Sequence, residues 1–183
     1  MGEGMSYANI KNMAFDHSGI IYNIAMTTGC TSYLELGLYK GSTINMVNTI
    51  VPYCVGVDIV PVNITGKFFL GSTDDFFKLN KDTFDIIFID ADHNFESVKK
   101  DFYNSLNVLN KHGIIFIHDT DPISVEYTAN DYCGDSYKAL QIINNDYNID
   151  SITLPILEAG LTMVNRKSDR RMHKYIGGNN VQR

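Results

Sequence analysis

The sequence predicts a doubly wound α/β fold of seven strands, mostly parallel, with an antiparallel hairpin at the C-terminal edge. Three observations predict it. Two apolar, β-favouring runs, Phe84-Asp85-Ile86-Ile87-Phe88-Ile89 and Gly113-Ile114-Ile115-Phe116-Ile117, lack the alternation of a half-exposed strand. Such runs suit strands buried on both faces of a parallel sheet. Segments with helical spacing separate most of the strand-like runs, which implies βαβ units with right-handed crossovers. The last two β-runs, 149–154 and 160–164, are joined by only a few residues. That is too short for a crossover, so they should pair antiparallel.

Residues 1–30 read as two helical pieces capping the domain. Ile20, Ile21, Ile24, Ala25 and Thr28 recur at helical spacing, and Gly29 is a stop signal. A first strand follows over 31–36, then a helix over 41–50 with Ile44, Val47 and Val51 on one face. The second and third strands fall at 53–58 and 67–70, a helix at 74–79 and the fourth strand at 84–90. Residues 94–110 form the clearest helix. Asn94 is its N-cap, Glu96 lies in the first turn, and Phe95, Val98, Phe102, Leu106 and Leu109 line one face. Residues 111–113 turn into the fifth strand at 113–119. The acidic segment 119–133 has no clear period, and a helix over 135–147 precedes the edge hairpin.

With 183 residues, 44% of them hydrophobic and 20% charged, the chain can form one domain with a self-sufficient core. That domain spans 1–165, and 166–183 is a basic tail. From Arg166 onward six Lys/Arg stand against one Asp, so of the net charge of −6 a balance of −11 falls on the body. An acidic body argues against nucleic acid as a partner. Three scattered cysteines (Cys30, Cys54, Cys133) form no zinc or redox motif and suit a reducing compartment. No 18-residue apolar run and no signal-peptide core occur, so a cytoplasmic protein without a membrane partner is expected.

Both buried runs end in chemistry-bearing residues: Asp90-Ala91-Asp92-His93 and His118-Asp119. In open α/β sheets ligands bind beyond the carboxyl ends of the strands. A third cluster follows strand one, Glu35-Leu36-Gly37-Leu38-Tyr39-Lys40-Gly41-Ser42-Thr43. Gly37 and Gly41 permit a tight turn and a close backbone approach, and Ser42 opens a helix with free N–H groups. Asp58 ends strand two, 23 residues after Glu35, where an acid can accept both hydroxyls of a ribose. Ser72, Thr73 and Asp74 after strand three suit an adenine edge, or serve only as a helix cap. Together these describe a nucleoside site. Tyr39 breaks the dinucleotide glycine fingerprint, which counts against a nicotinamide (NAD) oxidoreductase. A metal-dependent hydrolase built on Asp90, His93, His118 and Asp119, or a non-catalytic cofactor-binding module, stays open on residues alone.

The ordered set, over about residues 30–165, resembles the class I S-adenosylmethionine-dependent methyltransferases with their Rossmann-like sheet. More narrowly it is similar to the small metal-assisted O-methyltransferases related to catechol and macrolide-sugar O-methyltransferases. The resemblance rests on 35–43 ending in Gly-Ser-Thr, on 88–98 and on 113–119. It implies Glu35 and Gly37 near the methionine moiety, with Gly41 and Ser42 in the same loop. It also implies Asp58 on the ribose and Ser72, Thr73 and Asp74 near adenine. Asp90 with His118, Asp119 or both would hold a divalent metal, magnesium or manganese. The family usually offers two oxygens at the 118–119 pair, and His118 shifts the balance toward manganese.

A regular strand would send His118 and Asp119 to opposite sides, so one strand need not supply both. His93, three residues after Asp90, is the candidate general base, against a solvent-facing first-turn histidine. Asp92 reads as a supporting carboxylate, and His17, His112 and His173 as ordinary surface or turn residues. The expected reaction is in-line methyl transfer to a small hydroxylated acceptor, sugar or catechol-like, enclosed by the N-terminal helices and segment 119–133. The apolar N-terminal helices are also a candidate surface for homo-oligomer pairing.

Overall fold

Alternation along the strands sets the layers of the computed structural model, which describes residues 16–129, 131–155 and 159–167. On β1 (Ser32–Leu36), Leu34 and Leu36 join one core cluster and Tyr33 the other. On β4 (Phe84–Ile89), Ile87 and Ile89 take the first face, Ile86 and Phe88 the second. Every alternate residue therefore meets a hydrophobic layer, which is why these strands read as unbroken apolar runs.

The strands lie in the order β3 (Lys67–Leu70), β2 (Tyr53–Asp58), β1, β4, β5 (Leu109–His118), β7 (Leu161–Arg166), β6 (Ile149–Leu154). The first five are parallel, and β5–β7–β6 is antiparallel, as the short connection requires. One face carries α1 (His17–Thr28) and α2 (Ser42–Val47), the other α3 (Thr73–Leu79), α4 (Phe95–Val108) and α5 (Ala139–Asn145). After β3 the chain returns to place β4 beside β1, so the order reverses there and a crevice opens at their carboxyl ends.

Several boundaries differ from the sequence reading. The first of the two N-terminal helical pieces and residues 168–183 lie outside the described residues. α2 stops at Val47, and 48–50 continue only as turns. Leu109, expected on the face of α4, instead begins β5 opposite Phe84. The Arg166 guanidinium satisfies the helix end by donating to the carbonyls of Leu106 and Leu109. Arg166 is thus the last residue of β7 and belongs to the folded domain rather than the tail. The expected turn 111–113 is a bulge inside β5, with His112 at φ 66°. The helix over 135–147 splits into a 3-10 turn (Ser136–Lys138) and α5.

α4 is held to the sheet mainly by Val98 and Phe102, both buried in the first cluster. Truncating a fully buried Phe costs about 3–5 kcal/mol. Phe102→Ala is expected to destabilise the domain by about that amount, read as a lowered urea midpoint at unchanged slope.

Candidate active site

Three strand-end turns converge at the crevice, each starting in register with its neighbour. The Gly37 N–H donates to the Val57 carbonyl (2.9 Å), the Asp90 N–H to the Leu36 carbonyl (2.8 Å) and the Gly71 N–H to the Asp58 carbonyl (2.9 Å). Gly37 has φ 84°, and a Cβ there would lie 2.2 Å from the Asp90 carbonyl oxygen. Only glycine lets the first loop sit this close to the fourth. Asp58 ties down the same loop: its carboxylate accepts from the Leu38 N–H (2.8 Å) and the Val60 N–H (2.9 Å).

Two cavities meet at this junction and share Gly37, Asp58, Ile59 and Ala91 on their walls. The first, about 640 Å³, is lined further by Ser72, Thr73, Asp74 and Asp101. Ser72 also N-caps α3 by accepting from the Asp75 N–H (3.1 Å), so its hydroxyl has a structural task. Asp101, which the sequence reading missed, is buried against Thr73, and burial raises its carboxyl to about 6. The second cavity, about 830 Å³, is lined by His17, Tyr39, Asp90, His93, His118, Asp119, Tyr127, Tyr132 and Cys133 among others.

All four predicted acid/base and metal-ligand residues meet on that wall. His118 Nδ1 lies 3.2 Å from Asp90 Oδ1 and 3.2 Å from Asp119 Oδ1, and His93 Nε2 lies 3.0 Å from Asp119 Oδ2. One donor atom each from Asp90, His93 and Asp119 fall within 4.8 Å of one another. The expected divergence of residues 118 and 119 is cancelled because the strand stops at His118 and Asp119 turns left-handed, at φ 59°. Ser136 Oγ fixes that turn by donating to the Asp119 carbonyl (2.7 Å).

The electrostatics are those of a cation-seeking pocket. Burial opposes charge on His118, but its bonds to Asp119 and Asp90 outweigh that and hold the imidazole up at about 10. Burial also opposes charge on Asp119, yet His118 and His93 keep its carboxyl well below the usual range. Cys133, buried beside Asp119, is pushed up to about 12 and stays a thiol. The backbone of His93 is clasped from the other loop: the Asp135 N–H donates to its carbonyl (2.9 Å), and Gly134 packs against it.

Other predicted residues fall farther away. Glu35 is buried at 2% exposure and lines neither cavity; Tyr33 donates to its Oε2 at 2.6 Å. Gly41 and Ser42 line neither cavity, and Gly41 packs on Ile64. Asp92, by contrast, lines the first cavity and accepts from the Asn94 N–H (3.2 Å). His112 lies in the β5 bulge, and His173 is outside the described residues. His17 is not an ordinary surface residue. Its ring stacks on Phe88 (5.4 Å) and meets His118 edge-on (4.6 Å), and burial together with His118 lowers its pKa. The only local signal for it was Asp16-His17-Ser18-Gly19, a helix start, which says nothing of what the helix faces. A further cavity of about 700 Å³ lies at the opposite end of the sheet, by Thr31, Asp85 and Lys111. Its acid is spent on Thr31, Ser32 and Asn110.

The fold is the Rossmann-like fold of solved methyltransferases. Residues 34–120, from β1 to just past β5, match a family model for a methyltransferase domain. Solved structures agree on the fold. A Podospora anserina methyltransferase bound to S-adenosylhomocysteine superposes with a TM-score of 0.69 at 18% identity, covering 89% of this chain and 83% of that one. A Bacillus cereus O-methyltransferase, also in complex with S-adenosylhomocysteine, gives 0.64 at 16%, covering 87% and 86%. An O-methyltransferase of tomaymycin synthesis from Streptomyces achromogenes, in complex with S-adenosylmethionine, gives 0.63 at 12%, covering 81% and 78%. No curated protein sequence matches the chain.

Burial raises the Glu35 carboxyl to about 8, partly offset by Tyr33. Between its ordinary value near 4.5 and 8 the folded chain keeps a proton that the unfolded chain releases, so stability falls as pH rises through that window. Glu35→Gln is expected to flatten this fall relative to wild type, measured by urea unfolding across the same pH range.

Proposed function

We propose that the protein transfers a methyl group from S-adenosylmethionine to a hydroxyl of a small acceptor, with help from a divalent cation. One observation carries this: a nucleoside-sized cavity and a cavity walled by three carboxylates (Asp58, Asp90, Asp119) and three imidazoles share the Gly37–Ala91 junction. That is the adjacency a methyl donor and an activated hydroxyl need. The solved O-methyltransferases in complex with S-adenosylhomocysteine or S-adenosylmethionine support the choice of cofactor.

In this scheme Asp58 receives the ribose hydroxyls, and Ser72, Thr73 and Asp74 border the base. Glu35, buried and outside both cavities, does not touch the cofactor in this scheme. Two hard carboxylate oxygens and an imidazole fit manganese well and magnesium adequately. Asp90 and Asp119 would hold the ion, with a nitrogen from His118 or His93. The bound cofactor supplies the reactive sulfonium methyl, and the cation stabilises an ionised acceptor oxygen. The chain's own residues align the acceptor and move its proton. His93 accepts it, and Asp119, 3.0 Å from Nε2, orients the ring and stabilises the imidazolium.

The grouping of Asp90, His93 and Asp119 within 4.8 Å favours a second assignment, in which His93 ligates the cation and His118 braces the two carboxylates. No described helix is long and apolar enough to cross a membrane, which suits a small diffusible acceptor.

Asp119→Ala is expected to lose more metal-stimulated turnover than the roughly 10–100-fold typical of a supporting residue, with S-adenosylhomocysteine affinity nearly intact. A screen of hydroxylated acceptors, followed by mass spectrometry for an added methyl, measures the turnover. Equal activity in chelator and in manganese would remove the cation from the scheme. His93→Ala separates the two assignments: a base variant keeps metal affinity, and a ligand variant loses it.

A further inference from the structure

We infer that His17 is a specificity-determining residue that hydrogen-bonds a second oxygen of the acceptor, one that is not methylated. The inference rests on the larger cavity being the acceptor site. His17 opens α1, whose start is fixed: the Asp16 side chain accepts from the Gly19 N–H at 2.7 Å. The next turn is anchored by a buried bond between Ser18 and Thr43 (2.7 Å) and by fully buried Ile21. The His17 ring is clamped between Phe88, stacked at 27°, and the edge of His118, at 62°. It reaches the same cavity wall as Asp90, His93, His118 and Asp119.

Its Nδ1 is buried and has no hydrogen-bond partner among the described residues. Buried polar atoms are nearly always paired, so an orphan nitrogen in a side chain that lines a cavity needs an explanation. Packing alone does not supply one, because a phenyl ring would fill the slot between Phe88 and His118 without burying a nitrogen. The neighbouring acid/base cluster is already paired within itself: His118 serves both carboxylates and His93 serves Asp119. A hydroxyl is the matching ligand group. It both donates and accepts, and so satisfies either tautomer of a neutral imidazole.

The test compares binding of 4-nitrocatechol and 4-nitrophenol to the full chain saturated with S-adenosylhomocysteine. It is made by calorimetry in chelator, so that a diol cannot gain by coordinating a metal, and at slightly acid pH. Wild type is expected to prefer the diol by about tenfold, the worth of one good hydrogen bond. His17→Phe, which keeps the packing and removes both nitrogens, should bring the ratio close to one. His17→Asn should restore part of it. Unchanged S-adenosylhomocysteine affinity shows that each variant is folded, and the Asn variant decides if the Phe variant is not.

A wild type without diol preference, or a Phe variant that keeps it, would overturn the inference. Methyl transfer is assayed separately on the same proteins. A His17-dependent preference without transfer would leave this inference standing and remove the methyltransferase scheme. Transfer with a preference that ignores His17 would do the reverse.

Discussion

The close approach of Gly37 to the carbonyl of Asp90 is the contact on which the rest of the site depends. β1 and β4 are neighbours only because the sheet order reverses between them, and their loops must turn away without a gap. With a Cβ position 2.2 Å from the Asp90 oxygen, any side chain at 37 would force the loops apart. That separation would open the floor shared by the two cavities, moving Asp58 and the Leu38 N–H it anchors away from Ala91. The geometry of both cavities is therefore set by one backbone contact.

A second constraint is electrostatic. Asp90 and Asp119 face the same small volume, and like charges so close are costly unless a cation stands between them. In the protein alone His118 fills that role, which accounts for its high proton affinity. The left-handed turn at Asp119 makes the arrangement possible, and Ser136 holds the turn in place. Such conformations in non-glycine residues cost free energy and cluster at functional sites. Loop 119–135 consequently does more than border a cavity: through Gly134 and Asp135 it also fixes the backbone of His93.

Much of this was legible in the sequence because the chemistry sits at strand ends, and buried parallel strands announce themselves as apolar runs. The sheet, the Gly37 loop, Asp58 and the Asp90–His93–His118–Asp119 cluster all follow from that pattern. What stayed hidden depends on tertiary contacts rather than local pattern. Leu109 fits the apolar stripe of α4 and still leaves it to pair with Phe84, where Arg166, far along the chain, caps the helix-end carbonyls. Glu35 sits one residue before the end of β1, and it is buried with a hydrogen bond from Tyr33 rather than lining either cavity. His17 stands alone in its segment, so only the docking of α1 against Phe88 reveals where it reaches. The alternation rule failed at 118–119 because it assumes a regular strand, and a single positive φ removes that assumption.

The most direct measurement is calorimetric titration of wild type and Gly37→Ala with S-adenosylhomocysteine, and of wild type with NAD. The structure predicts one-to-one binding of S-adenosylhomocysteine by wild type, none by a folded Gly37→Ala, and no binding of NAD. Binding of NAD without S-adenosylhomocysteine, or full affinity in Gly37→Ala, would contradict it.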